Sequence, residues 1–142
     1  MAEHLSLRLD SSPNGIGVVT DSVDQFLRDN DVPVAGAQVF GLVLDEVLTN
    51  ALAYGGKSDG PFFIEVNVEV EGTVVKIEVM DDGIAFNPLL TPDPDVTLEL
   101  EEREIGGLGI FLVKKLMDDV TYERRDDFNR LTLTKDCASA GD

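Results

Sequence analysis

The sequence has no tryptophan, one cysteine and one histidine, and its 28 acidic residues face only 11 lysines and arginines. Each shortage excludes something. A single cysteine, Cys137, cannot close an internal disulfide, and within the polar segment "DCASAGD" it has no metal-ligating partner; it reads as a loose tail thiol. A net charge of -17 leaves no basic footprint for nucleic acid and disfavours an anionic membrane surface. It does not exclude a small anionic ligand, because screening acts over about 8 Å at physiological salt and local donors can win inside a pocket. No apolar run approaches the roughly 20 residues of a membrane span, and "MAEHLSLRLD" lacks a signal-peptide pattern, so the expected location is the cytoplasm.

The composition that remains, 43% hydrophobic and 27% charged over 142 residues, is that of one soluble globular domain. Its expected extent is residues 1–136, followed by a short polar tail over 137–142. "LSLRL" (5–9) alternates apolar and polar residues as a half-buried strand does. Past the breaker "SSPNG", the residues Ile16, Val19, Val23, Phe26 and Leu27 mark an amphipathic helix over 16–29. Pro33 precedes a second helix over 35–54, which stops at Gly55-Gly56. "FIEVNVEV" and "VVKIEVMDDG" alternate on either side of "EGT", which predicts a β-hairpin with one wet face. Helical spacing returns over 108–118, and "VTYERR" with "NRLTLT" predicts a second hairpin turned by "DDF". Residues 86–105 carry Pro88, Pro92 and Pro94 among acids, and so long a connection without periodicity is usually functional or mobile. The order β-α-α-β-β-loop-α-β-β predicts an α+β fold, a two-layer sandwich whose mostly antiparallel sheet is covered on one face by three helices. Strands do not alternate with helices, which excludes a doubly wound sheet.

Three places break the pattern. In "VLDEVLTNALAYGG" (43–56), Glu46 and Asn50 lie about 40° apart on the helix, at the edge of its apolar stripe. Either both reach solvent by their own length, or one acts as a base and the other ligates a metal such as Mg²⁺, which keeps most of its waters. Asp81 shares strand parity with Val75, Ile77 and Val79 on the face turned to the helices, where a carboxylate without a donor is costly. Either the strand has ended there, or Asp81 meets a ligand offering N–H groups, an adenine amino group for instance, with Gly83 easing a close approach. "GGLG" (106–109) opens a helix; it is either a glycine hinge or a set of free backbone N–H groups that cradle phosphate.

Taken in order, E-x-x-x-N on a helix, D-x-G after a strand, then a long loop and G-x-G opening a helix, the chain resembles the GHKL ATPase/kinase superfamily. The nearest branch is that of the single-domain anti-sigma-factor serine/threonine kinases, with a histidine-kinase-like ATPase fold. "DEVLTNALAYGG" looks like the family's N box, "VMDDGIAFNP" its first glycine box and "GGLGIFLVKKLMDDVTY" its second, so the resemblance spans nearly the whole chain. It implies ATP and Mg²⁺ as cofactors. Asn50 would hold the Mg²⁺ that bridges the phosphates, and Glu46 would be the general base toward a serine or threonine hydroxyl of a partner. Asp81 would accept from the adenine amino group, with Gly83, Ile84 and Phe86 beside the base. Gly107, Leu108 and Gly109 would supply the second glycine box to the phosphates, residues 87–105 would form the ATP lid, and Lys57 and Arg103 are candidates for phosphate charge. The implied partners are a STAS-domain anti-sigma antagonist, as phosphorylation substrate in partner switching, a sigma factor, and a second copy of the chain. Three positions depart from the pattern: Ala85 replaces a common second glycine, Tyr54 a common histidine, and "FNRLTLT" carries no Gly-Thr pair.

A second reading keeps the fold and lets ATP only order the lid, without phosphoryl transfer, Glu46 then tuning the pocket. A histidine-kinase catalytic domain usually sits behind a phospho-acceptor helix pair, and the only histidine here is His4 beside a strand. Gyrase-like and mismatch-repair ATPases need a second domain, for which 142 residues leave no room.

Overall fold

Alternation decides the sheet. In the computed structural model, which describes residues 2–9, 14–54, 64–90 and 107–139, strands β2 (Ile64–Glu71) and β3 (Val74–Asp81) bury every second residue. β1 (Glu3–Leu9) pairs with the outer side of β2, and the hairpin of β4 (Asp119–Arg125) and β5 (Phe128–Asp136) completes the sheet. The order is β1-β2-β3-β5-β4, and every neighbouring pair is antiparallel. β5 therefore returns inside β4 and lies against β3, which sets Asp81 opposite Asn129. The β4–β5 turn is made by Asp126 and Asp127 alone, at φ 55° and 66°, with Phe128 already in the strand. Positive φ at both central residues matches the right-handed twist of a tight hairpin.

Helix α1 (Asn14–Asp29) presents Val19, Val23 and Leu27 to the core and stops for a legible reason. Asp31 takes a left-handed φ of 64°, Val32 N donates to Leu27 O at 2.9 Å and Asp31 N to Arg28 O at 3.1 Å. This pair of bonds satisfies carbonyls the helix would leave open, and Val32 packs back beside Leu27. Pro33 then opens α2 (Val34–Tyr54), whose inner stripe of Ala37, Phe40, Val43, Leu44, Val47 and Leu48 is buried. α3 (Gly107–Leu116) adds Ile110 and Val113, two residues shorter at its end than the spacing predicts. The three helices and one face of the sheet share one apolar cluster. The opposite face stays wet and pairs its polar groups across strands: His4 with Glu69, Ser6 with Asn67, Arg8 with Glu65. Exposed pairs of this kind contribute little to stability.

The reading of Cys137 as a loose tail thiol is corrected. Cys137 is completely buried and belongs to the core cluster. Its backbone N–H donates to Thr73 O at 2.8 Å, in the β2–β3 turn, and a short 3-10 turn, Cys137–Ser139, follows. Asp136 secures the corner by accepting from Thr73 Oγ1 at 2.7 Å and Ala138 N at 3.0 Å. Those two donors hold the exposed Asp136 carboxyl below the usual carboxylate value. The segment looks like a tail because its neighbours are small and polar, yet the end of β5 carries Cys137 under α2. Gly36 makes the room: a β-carbon there would lie 2.8 Å from Cys137 Sγ.

Candidate active site

A partly open cleft lies between the C-terminal half of α2, the first turn of α3 and the sheet. α2 contributes Val47, Asn50 and Ala51, and α3 contributes Ile110. β3 supplies Val79 and Asp81, the segment after it Phe86 and Pro88, and the last hairpin Tyr122, Asn129 and Leu131. The walls are mostly apolar, with a few polar groups between them, as in a site for a flat organic ligand with polar edges.

Asn50 does not reach out to solvent. It is 7% exposed, and no described residue hydrogen-bonds its side-chain amide. Its side chain lines the cleft instead, so the amide faces whatever occupies that space. Glu46, one turn earlier, is half-buried and does not line the cleft.

Asp81 is the last residue of β3, and its parity holds: it is 6% exposed on the helix side of the sheet. Its donors come from the protein itself, an outcome outside both sequence readings. Oδ1 accepts from Gly83 N at 2.9 Å and from Asn129 Nδ2 at 2.9 Å, and Oδ2 has no donor among the described residues. Burial pushes the Asp81 carboxyl up from its ordinary value, while the bonds from Asn129 and Gly83 and the charge of Arg124 pull it back. Arg124 also donates to Gly83 O at 2.9 Å and so ties β4 to the turn. Gly83 is buried, Ile84 is 51% exposed, and Ala85 keeps an ordinary backbone with no positive φ.

Asn129, 5% exposed, is the residue the sequence reading missed. Its signal was present, since it shares parity with the buried Leu131 and Leu133 and is a polar residue on a core face. Phe86 does line the cleft, and its N–H donates to Asn129 Oδ1 at 3.2 Å. Gly107, Leu108 and Gly109 form the first turn of α3, the end that carries Ile110 to the cleft. A helix start offers free N–H groups of the kind phosphate needs. Lys57, Arg103 and residues 91–105 of the expected lid over 87–105 lie outside the described residues. No lysine or arginine is among the described residues that line the cleft, and the described residues hold no cluster of metal-ligating side chains. None of their helices is long and apolar enough to cross a membrane.

Known proteins share this fold. The profile of the histidine kinase-like ATPase domain matches residues 9–135. A serine/threonine-protein kinase, BtrW, of Bordetella bronchiseptica is 30% identical over 97 residues, which is 68% of this chain and 68% of that one. An anti-sigma F factor of Bacillus cereus is 24% identical over 143 residues, 95% of this chain and 93% of the relative. The crystal structure of the RsbU and RsbW domains of a Mycobacterium tuberculosis protein superposes with a TM-score of 0.65 at 16% identity. It covers 94% of this chain, which spans 31% of the Mycobacterium chain. A histidine kinase domain from Erythrobacter litoralis follows the same fold at a TM-score of 0.57 and 15% identity, over 91% of this chain and 62% of that one.

Proposed function

Because the chain belongs to the histidine kinase-like ATPase domain family, we propose that it is an ATP-dependent serine/threonine protein kinase of the anti-sigma-factor type, acting on a STAS-domain antagonist in a partner switch. One observation carries the site: a largely apolar cleft in which the Asp81 carboxylate keeps one oxygen, and the Asn50 amide its whole side chain, without a partner among the described residues. Those two groups ask for different things. Asp81 Oδ2 asks for an N–H donor, and Asn50 for an electropositive centre at its oxygen or an acceptor at its nitrogen. An adenine nucleotide carrying Mg²⁺ meets both demands, so the residues present fit the group.

When bound, ATP supplies the phosphoryl group and Mg²⁺ supplies charge neutralisation, the two main needs of this chemistry. In this assignment Asp81 would accept from the base, the side chains of Val79, Ile110 and Leu131 would exclude water beside it, and Asn50 would offer its amide oxygen to the metal. The backbone at Gly107, Leu108 and Gly109 would donate to phosphate. Glu46, on the same helix one turn from Asn50, takes the proton from the partner's hydroxyl. Its position outside the cleft wall suits a group that meets a protein substrate rather than the nucleotide.

The names of the relatives support the kinase and anti-sigma roles. A sigma factor as sequestered partner and a paired second copy of the chain belong to the same proposal. The test is incubation with labelled ATP and a purified STAS-domain antagonist. Label on a serine or threonine of the antagonist supports the proposal; tight ATP binding with no labelled product replaces it with the reading in which ATP only orders a binding surface.

A further inference from the structure

Asn129 commits its entire hydrogen-bonding capacity inside the protein. Nδ2 donates to Asp81 Oδ1 at 2.9 Å and to Ile84 O at 2.7 Å, and Oδ1 accepts from Phe86 N at 3.2 Å and from the Tyr122 hydroxyl. Ile84 O can only accept and Phe86 N can only donate, so only this orientation of the amide satisfies both. The groups it ties belong to the end of β3, to the turn leaving it and to β4. With two hydrogens and two lone pairs already used, Asn129 has nothing left for a ligand although it lines the cleft. Its effect on a ligand must pass through Asp81.

Asp81 Oδ1 is filled by two donors, Asn129 Nδ2 and Gly83 N, and both favour the ionised carboxylate. Burial works against that charge. A carboxylate can only accept, whereas a protonated carboxyl can also donate. The state of Asp81 therefore decides whether the cleft prefers a base with an amino donor or one with a carbonyl acceptor at the same place.

We propose that Asn129 is a positioning residue for base selection, holding Asp81 by Oδ1 so that Oδ2 stands as an obligate acceptor and the cleft rejects 6-oxopurines. This rests on the nucleotide reading above. Nothing else on the described cleft wall reads that edge: the remaining polar group on the sheet side, the Tyr122 hydroxyl, is itself turned into Asn129.

The test compares the dissociation constants of ATP and ITP, measured by calorimetry at pH 6 and pH 8, for the natural protein and Asn129→Leu. A hydrogen bond to a charged group sets the expected preference of the natural protein for ATP at about tenfold or more. In Asn129→Leu the preference falls to about threefold or less, and it is smaller at pH 6 than at pH 8, because Asp81 protonates more readily without its donor. A merely structural role lowers both affinities by one factor and leaves the ratio unchanged at both pH values; that result overturns the proposal and leaves the nucleotide reading standing. A natural protein that binds ATP and ITP equally does the same. Binding of neither by the natural protein overturns the nucleotide reading itself. Should Asn129→Leu fail to fold, Tyr122→Phe removes one bond from Asn129 and keeps the ring; the ratio is expected to drop by about threefold, and an unchanged ratio contradicts the proposal.

Discussion

Asn129 and Asp81 face each other directly across β5 and β3, and the amide of one donates to the carboxylate of the other at 2.9 Å. The bond leaves the second carboxylate oxygen for the cleft. Asp81→Asn keeps the size and removes the obligate acceptor. ATP affinity is expected to fall by about 10- to 100-fold, the worth of a hydrogen bond to a charged group. The melting temperature is expected to hold or rise, because a buried charge has been removed. Titration calorimetry beside a thermal melt separates the two effects; a variant that binds normally contradicts the role of Asp81.

The same residue gives stability a definite pH dependence. Burial raises the Asp81 carboxyl in the folded state. A raised carboxyl contributes stability that is complete below the unfolded value, about 3.9, and is lost as pH rises through the folded value. The natural protein should therefore lose ground to Asp81→Asn as pH climbs from about 4 through the weakly acidic range. Asp136 acts in the opposite sense: its lowered carboxyl contributes stability present above the unfolded value and lost as pH falls through the folded one. Urea unfolding of Asp81→Asn, Asp136→Asn and the natural protein, from well below the unfolded carboxyl value of about 3.9 up through the weakly acidic range, reads both slopes. Parallel profiles for all three contradict both assignments.

Glu46 and Asn50 share a helix and should divide binding from chemistry. Glu46→Ala is expected to keep the ATP dissociation constant within about threefold and lower phosphoryl transfer by about 10² to 10⁴, the usual worth of a general base. Asn50→Ala is expected to weaken Mg²⁺-dependent ATP binding itself. Single-turnover transfer to the antagonist, run beside equilibrium binding, distinguishes them. Equal losses of binding in both variants contradict the division.

Gly36 and Cys137 form the contact by which α2 closes over the end of β5. A β-carbon at position 36 would sit 2.8 Å from Cys137 Sγ and 3.0 Å from its Cβ. Gly36→Ala gains helix propensity of about 1 kcal/mol and meets overpacking of about 1 to 3 kcal/mol, so a net loss of about 1 kcal/mol is expected. Cys137→Ala on its own opens a void and is also expected to destabilise. Together the new methyl group occupies the space of the lost sulfur, so the double variant should be more stable than the sum predicts by about 1 kcal/mol or more. Burial also raises the Cys137 thiol, and its alkylation by iodoacetamide should proceed only as fast as the protein opens. Additive losses with rapid alkylation would return Cys137 to a loose tail.

What could be read in the sequence was what is local. β2 and β3 announce themselves because every second residue is apolar, and Asp81 stands out as a carboxylate at a position of that apolar parity. Asn50 stands out by its place on the apolar stripe of a helix. Asn129 carried the same kind of signal but not its meaning, since its partner Asp81 is 48 residues away and the pairing depends on β5 returning inside β4. Cys137 was misread for a related reason. Composition describes a segment's own residues, whereas burial depends on what folds over them, here Gly36 on a distant helix.

If the cleft between the sheet and helices α2 and α3 holds an adenine nucleotide with its metal, titration of the purified chain with Mg-ATP, followed by heat and by thermal melting, detects it. Saturable heat is expected, with stabilisation of about 2.7 kcal/mol once free nucleotide reaches a hundred times its dissociation constant. A folded protein that gives no heat and melts at the same temperature with and without Mg-ATP would contradict the nucleotide reading.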